Sequence, residues 1–390
     1  MQDYDEYWSE ALATAQSAGR LRRLRSVERL PGARIRFGEG PVFIDFSSND
    51  YLGLSHHPAL IAAARDYAAR FGAGAGASRL VSGNLLPLDE IERKLAVGKG
   101  MEAALVFVSG VQANLTLLPA LLDARVLGAE PLVYADRLNH ASLIQGCVAA
   151  GVKQIRFRHN DLGHLEELLA RDVEQKRPRF IITESVFSMD GDGPDLAALN
   201  ALAGRFGAFL YIDEAHATGV LGANGFGLAS GLKNALVMGT FSKGLGGFGA
   251  YVAGSAALRE YLVNRCGGII YATALPPAVL GAMNAALDLI PLMGRQREHL
   301  ARVAAHLRGR LNHAGLSTGA STTQIVPLIL GEEVRAISLA LKLEGEGFCA
   351  VAIRPPTVPP GTSRLRLAVS ALHQQDDIDQ LADAIIRNLG

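Results

Sequence analysis

The stretch Phe209-Leu210-Tyr211-Ile212-Asp213-Glu214-Ala215-His216 decides the fold. Four apolar residues, aromatic or branched, are followed at once by a carboxylate. So short a run without alternation reads as a strand buried on both faces. Runs of the same kind recur at residues 104–108, 132–134, 180–183, 235–238 and 249–253, each closed by polar residues or glycine. Helical patterns lie between them, from about residue 58 to residue 285. Short buried strands alternating with helices predict an α/β fold with a mainly parallel central sheet and helices on both faces. Ligands of such sheets bind beyond the carboxyl ends of the strands, so chemistry is expected in the residues that follow each run.

Outward from this block the pattern changes. Residues 4–18 read as a helix, and a strand at 42–46 runs into Ser47-Ser48-Asn49-Asp50-Tyr51-Leu52-Gly53. A long helical stretch at 280–311 precedes strands at 325–330, 349–353 and 365–369 and a last helix at 376–388. The chain therefore divides into an N-terminal helix and strand segment (1–45), a large α/β domain (46–285) and a smaller α+β domain (286–390).

Composition narrows the function class. The formal net charge of the 390 residues is zero, so nothing in the overall balance favours nucleic acid or an anionic membrane. One basic run stands out: Arg20, Arg22, Arg23, Arg25, Arg29, Arg34 and Arg36. It is either a solvated segment or one that presents an arginine to an anionic substrate. Cys147, Cys266 and Cys349 are scattered and odd in number, with no pairing that suggests zinc or a disulfide framework. A reducing, cytoplasmic location is expected, and no metal. The acidic start, without an apolar core, is not read as a signal peptide. The uncharged residues 103–122 contain Ser109, Gln112, Asn114, Thr116 and Pro119 and read as strand, turn and helix, not as a membrane span.

Four loops carry candidate chemistry. In Thr240-Phe241-Ser242-Lys243-Gly244, a lone lysine follows an apolar strand. Burying it is costly unless it is paired or used covalently, and burial lowers its pKa as Schiff-base chemistry requires. Asp213 closes its own strand, and His216 lies three residues on. A buried carboxylate there either belongs to a metal or structural pair at a sheet edge or holds a protonated ring nitrogen. Ser109-Gly110-Val111-Gln112 opens a helix whose free N–H groups and dipole suit a phosphate. In Asp136-Arg137-Leu138-Asn139-His140-Ala141-Ser142, His140 is either an ordinary loop histidine or a ring stacker. Taken together they offer a phosphate cup, a stacker, a ring-nitrogen partner and a lysine at one sheet edge.

Competing motifs fall away. Gly244-Leu245-Gly246-Gly247-Phe248-Gly249 matches a dinucleotide fingerprint, but a strand-like segment follows it instead of a helix. Asp213–His216 spells a helicase-type box, yet no GxxxxGK[ST] accompanies it. Neither GxSxG nor HExxH occurs.

With these residues in view, the chain resembles the α-oxoamine synthases, a family of fold-type I pyridoxal-phosphate enzymes, from about Trp8 to the C-terminus. Phe46–Gly53, Asp136–Ser142, Val186-Phe187-Ser188-Met189-Asp190-Gly191-Asp192, Asp213–Gly219 and Thr240–Gly244 carry the resemblance. Ile353-Arg354-Pro355-Pro356-Thr357-Val358-Pro359 and Arg364-Leu365-Arg366-Leu367 are similar to the branch that condenses L-alanine with a pimeloyl thioester in biotin synthesis; sister branches use glycine or serine.

The resemblance implies a transferase of the fold-type I kind with pyridoxal 5'-phosphate as cofactor. Lys243 would be the Schiff-base lysine and would move the substrate α-proton. Asp213 would hold the ring nitrogen and His140 would stack on the ring. His216 and Ser188 would bond the ring's phenolic oxygen. Gly110, Val111 and Thr240 would bind phosphate, and Thr273 would come from a partner subunit, implying a homodimer with shared sites. Arg366, helped by Asn49, would take the alanine carboxylate, with Arg354 in the same substrate region. Arg22, or its neighbour Arg23, would meet the distal carboxylate of pimeloyl-CoA or pimeloyl-acyl-carrier protein. Where the family often carries a histidine, five residues after Gly83, this chain has Leu88.

Overall fold

The computed structural model describes residues 3–17 and 19–389. Its centre is a seven-stranded sheet. The strand order is Ala103–Phe107, Ala250–Gly254, Ala235–Thr240, Ala208–Asp213, Arg179–Glu184, Leu132–Asp136, Gln154–Phe157. Only Ala250–Gly254 runs antiparallel to its neighbours, so the mainly parallel sheet is as expected. Strands 208–213 and 235–240 are buried at nearly every position, which is why their sequences do not alternate. Apolar clusters fill both faces, one around Leu105, Leu117, Val133 and Tyr211, the other around Tyr134, Leu165, Leu199 and Ile212.

The flanking segments depart from the sequence reading in instructive ways. The first helix is Tyr4–Ser17; the expected end at Ala18 lies outside the described residues. It buries no side chain. The expected long helix at 280–311 is two helices, Pro277–Leu289 and Gly294–His313, joined through the turn Ile290–Leu292. The 76° break falls at Met293, between Leu292 and Gly294.

The expected strand at 349–353 is also divided. Phe348–Cys349 pairs in parallel with Val42–Asp45, whereas Val351–Ile353 pairs antiparallel with Ser363–Ala368. One apolar run thus serves two sheets and ties the N-terminal strands to the far end of the chain. Among the described residues no single helix is long and apolar enough to cross a membrane. All three cysteines are free.

Candidate active site

Parallel pairing places the carboxyl ends of strands 103–107, 132–136, 179–184, 208–213 and 235–240 at one edge of the sheet. The loops that follow enclose a cleft of about 240 Å³, lined among others by Gly110, Val111, His140, Glu184, Asp213, His216, Thr240 and Lys243. Seven of these eight are expected site residues, drawn from four separate loops.

One end of the cleft is the start of helix Gly110–Leu121. The Ser109 side chain caps it by accepting from the Gln112 amide at 3.2 Å. The first N–H groups of a helix have no intrahelical partner, so Gly110 and Val111 present donors to the cleft. Across from them Thr240 Oγ donates to the Gly249 carbonyl at 2.8 Å and lies 2.6 Å from Ser242 Oγ. That leaves the Ser242 hydroxyl as the donor between the two. The glycines of the lysine loop follow from packing: Gly246 has φ +64°, and a β-carbon there would strike the backbone at Leu54 and Ser55.

Asp213 sits at the middle of the cleft floor, 5% exposed. Its Oδ1 accepts from the Ala215 amide at 2.9 Å and its Oδ2 from the Asn114 side chain at 3.0 Å. Asn114 is itself fixed, because the Tyr211 hydroxyl donates to its Oδ1 at 2.6 Å and its amide also reaches Ser142 Oγ at 2.9 Å. The carboxylate is therefore aimed and held while still able to accept one more hydrogen bond.

His140 stands at the helix start beyond strand 132–136, its Nδ1 2.7 Å from Ser142 Oγ. Its backbone N–H donates to Glu184 Oε1 at 2.6 Å. Glu184 is buried and neighbours Asp213 on the next strand. Burial, followed by the charge of Asp213, raises its pKa well above the usual carboxylate range.

Lys243 points at the ring of His216, with Nζ 3.0 Å from Nε2. Burial pushes the Lys243 amine down to about 8, with Arg366 acting the same way and the carboxylates of Asp213 and Glu184 opposing. Burial also holds His216 well below the usual imidazole range, reinforced by the positive charges of Lys243 and Arg366. A neutral imidazole thus faces a lysine that loses its proton near neutral pH.

Other expected residues lie one step away. Arg366 donates to the Tyr51 hydroxyl at 3.1 Å and to the Ser188 carbonyl. Asn49 accepts from the same hydroxyl at 3.0 Å. Ser188 does not line the cleft; its backbone holds Arg366. Thr273 is bridged to Ser78 and lines a separate narrow cavity with Arg79 and Leu88, away from Lys243 of the same chain. Arg22 and Arg23 are exposed on the segment after the first helix. Arg354 donates to the Gly19 carbonyl, and Arg20 pairs with Glu333 at 2.7 Å, so both pin that segment to the C-terminal part.

The sequence does not single out Glu184, and Asn114, Ser142 and Tyr51 stand in its motifs without an assigned role. Each reaches the site through a neighbouring strand or helix, and no spacing rule places a mid-helix asparagine under a carboxylate 99 residues away.

The cleft fits pyridoxal phosphate by its donor set. It has N–H groups and hydroxyls at one end for a phosphate, a fixed buried carboxylate for a ring nitrogen, an imidazole at the wall and a lysine at the far side.

A sheet of this order with a lysine, a strand-end carboxylate and a helix start around one cleft defines the class. The family model for aminotransferase class I and II matches residues 41–385, and the chain belongs to that family. The fold is that of the fold-type I pyridoxal-phosphate transferases. The chain is 55% identical to the 8-amino-7-oxononanoate synthase of Gluconacetobacter diazotrophicus, over 99% of this chain and 97% of that protein. It superposes on a structure of SPT with a PLP internal aldimine at TM-score 0.91, with 27% identity and 99% and 98% of the two chains covered. The 8-amino-7-oxononanoate synthase of Francisella tularensis matches at TM-score 0.76, with 27% identity over 88% of this chain and 97% of that one.

Proposed function

We propose that this chain catalyses the reaction named for its relatives, the 8-amino-7-oxononanoate synthases: pyridoxal-phosphate-dependent condensation of L-alanine with a pimeloyl thioester and loss of CO2. The observation that carries this reading is the opposition, across one cleft, of an amine of pKa about 8 and a carboxylate anchored by Asn114. The identity of 55% over nearly the whole chain directs it to this acyl donor.

When bound, pyridoxal phosphate supplies a ring that accepts the electron pair released at the substrate α-carbon. The protein's own residues do the rest. Asp213 would keep the ring nitrogen protonated, Gly110 and Val111 would donate to the phosphate, and Thr240 would join them by giving up the Gly249 carbonyl. His140 would cover a ring face, and His216 would bond the phenolic oxygen. Arg366 takes the alanine carboxylate as a two-pronged contact, giving up its present neighbours to do so. Lys243, neutral above pH 8, takes the α-proton and later returns one. A carbon–carbon bond forms between alanine Cα and the acyl carbonyl, the thiol leaves, and the carboxyl group departs as CO2.

The N-terminal arginines, Arg22 first, suit the distal pimeloyl carboxylate, with Arg354 holding their segment through Gly19. Thr273 lines a cavity apart from its own Lys243; in a homodimer with shared sites it would serve the phosphate site of a second copy. Coenzyme A and carrier-protein thioesters both fit this scheme.

The test is an absorbance spectrum before and after L-alanine and then pimeloyl-CoA or pimeloyl-acyl-carrier protein. A yellow band that shifts with L-alanine, followed by thiol and CO2 release, is expected. A shift with glycine or serine only would reassign the substrate. No band with added cofactor would overturn the reading.

A further inference from the structure

A chain of hydrogen bonds leaves the cleft behind the lysine. Lys243 Nζ lies 3.0 Å from His216 Nε2, and His216 Nδ1 lies 2.7 Å from the Tyr51 hydroxyl. That hydroxyl also contacts Asn49 Oδ1 at 3.0 Å and receives the Arg366 guanidinium at 3.1 Å. Tyr51 is fully buried, and the Gln324 amide fixes the His216 carbonyl at 2.8 Å. The hydroxyl is closed off from bulk solvent, and Arg366 and Gln324 approach it as donors, so its proton goes to the acceptors Asn49 Oδ1 or His216 Nδ1.

Those two choices select the two forms of a neutral imidazole. If Tyr51 donates to Asn49, its oxygen accepts from His216 Nδ1–H, and His216 Nε2 is a bare acceptor suited to an ammonium on Lys243. If Tyr51 donates to Nδ1, then Nε2 carries the proton and suits a neutral amine. A carboxylate on Arg366 draws the guanidinium from the Tyr51 oxygen. The freed lone pair then favours Nδ1–H, and with it a protonated Lys243.

We propose that Tyr51 is a positioning residue that sets the tautomer of His216 and so links carboxylate occupancy at Arg366 to the proton on Lys243. This rests on the functional reading above. Its consequence is that a carboxylate on Arg366 raises the proton affinity of Lys243 in the cofactor-free chain. The other charged groups facing Lys243 and His216 are Asp213, Glu184 and His140, from the three neighbouring loops. Burial keeps the Tyr51 hydroxyl protonated, with Arg366 opposing, so the proton is redirected and not lost.

The experiment uses the cofactor-free protein with 15N-labelled imidazoles, the His216 signals being those lost in His216→Gln. In the wild type the His216 nitrogens should change from one tautomeric pattern to the other as pH rises through about 8, and propionate should move that midpoint upward. In Tyr51→Phe the pattern should hold one form throughout. Asn49→Ala provides a second route should that variant fold poorly, and should lock the Nε2–H form. A wild-type His216 that keeps one tautomer, a midpoint blind to propionate, or an unchanged switch in both variants would overturn the proposal. Borohydride trapping on Lys243 after pyridoxal phosphate is added back to the same preparation reports separately: a working switch without a trapped adduct would sink the functional reading alone.

Discussion

His159 joins the loop that leads to His140 to the loop that holds Ser188. Its Nδ1 lies 3.0 Å from Asp136 Oδ1 and its Nε2 3.0 Å from Asp192 Oδ2, while its ring meets Phe187 edge-on. Asp136 begins the loop that ends in His140, and Asp192 closes the loop that holds Ser188. Burial opposes a charge on this imidazole, but the two carboxylates outweigh it and push its pKa up to about 10. The rise from 6.5 is worth at most about 5 kcal/mol of linkage. Since the side chain is 20% exposed, about 3 kcal/mol is the working figure. A raised pKa in the folded state means the contribution is complete below pH 6.5 and is lost as pH rises through 10.

The perturbation is His159→Gln, which keeps one donor but no charge. Urea unfolding of both proteins, followed by far-ultraviolet circular dichroism, would be measured at half-unit steps from pH 6 to pH 10.5. The wild-type advantage should be largest near pH 6 and shrink by about 3 kcal/mol toward the alkaline end, with a limiting slope of about 1.4 kcal/mol per pH unit. Comparing the two proteins at each pH cancels other titrating groups. A difference that stays constant across the range would refute the protonated clamp, whatever its size.

Other outcomes follow from the same geometry. Pyridoxal phosphate capture by the cofactor-free protein should quicken tenfold per pH unit below about 8 and level off above it, since only neutral Lys243 reacts; stopped-flow absorbance reads this directly, and a flat profile would contradict it. Asn114→Leu strands Asp213 Oδ2 and the Tyr211 hydroxyl. It should lower unfolding free energy by about 1–3 kcal/mol, measurable by the urea midpoint. Lys99→Met leaves Glu214, the fully buried neighbour of Asp213 in sequence, without its ion-pair partner. The expected loss is about 3–5 kcal/mol; a midpoint within error of wild type would deny the pair any role. Gly191→Ala places a β-carbon against the Ile325 carbonyl at φ +67°. A lowered thermal midpoint with weaker Arg366-dependent alanine binding is expected, because the loop 187–192 carries the carbonyl that holds Arg366.

Sequence alone determined the sheet and the edge at which chemistry occurs. Runs such as 208–213 and 235–240 are buried on both faces, so their composition announces a strand without reference to partners. Parallel pairing then forces every following loop to the same edge, and Lys243, Asp213, His216, His140, Gly110, Val111 and Thr240 meet there for that reason. Tertiary structure decided what those residues can do. The pKa of Lys243 comes from burial and from charges on three other elements. The aim of Asp213 comes from an asparagine in the middle of a helix. The position of Arg366 comes from Tyr51 and Ser188, brought from sequence separations of 315 and 178 residues. Local pattern encodes burial and secondary structure because both are periodic along the chain. The strength of a charge depends on its distance to others in space and on the water excluded between them, and neither quantity is periodic in sequence. The divided strand at 348–353 shows the same limit: one apolar run can satisfy two sheets, and only the packed chain chooses where it crosses.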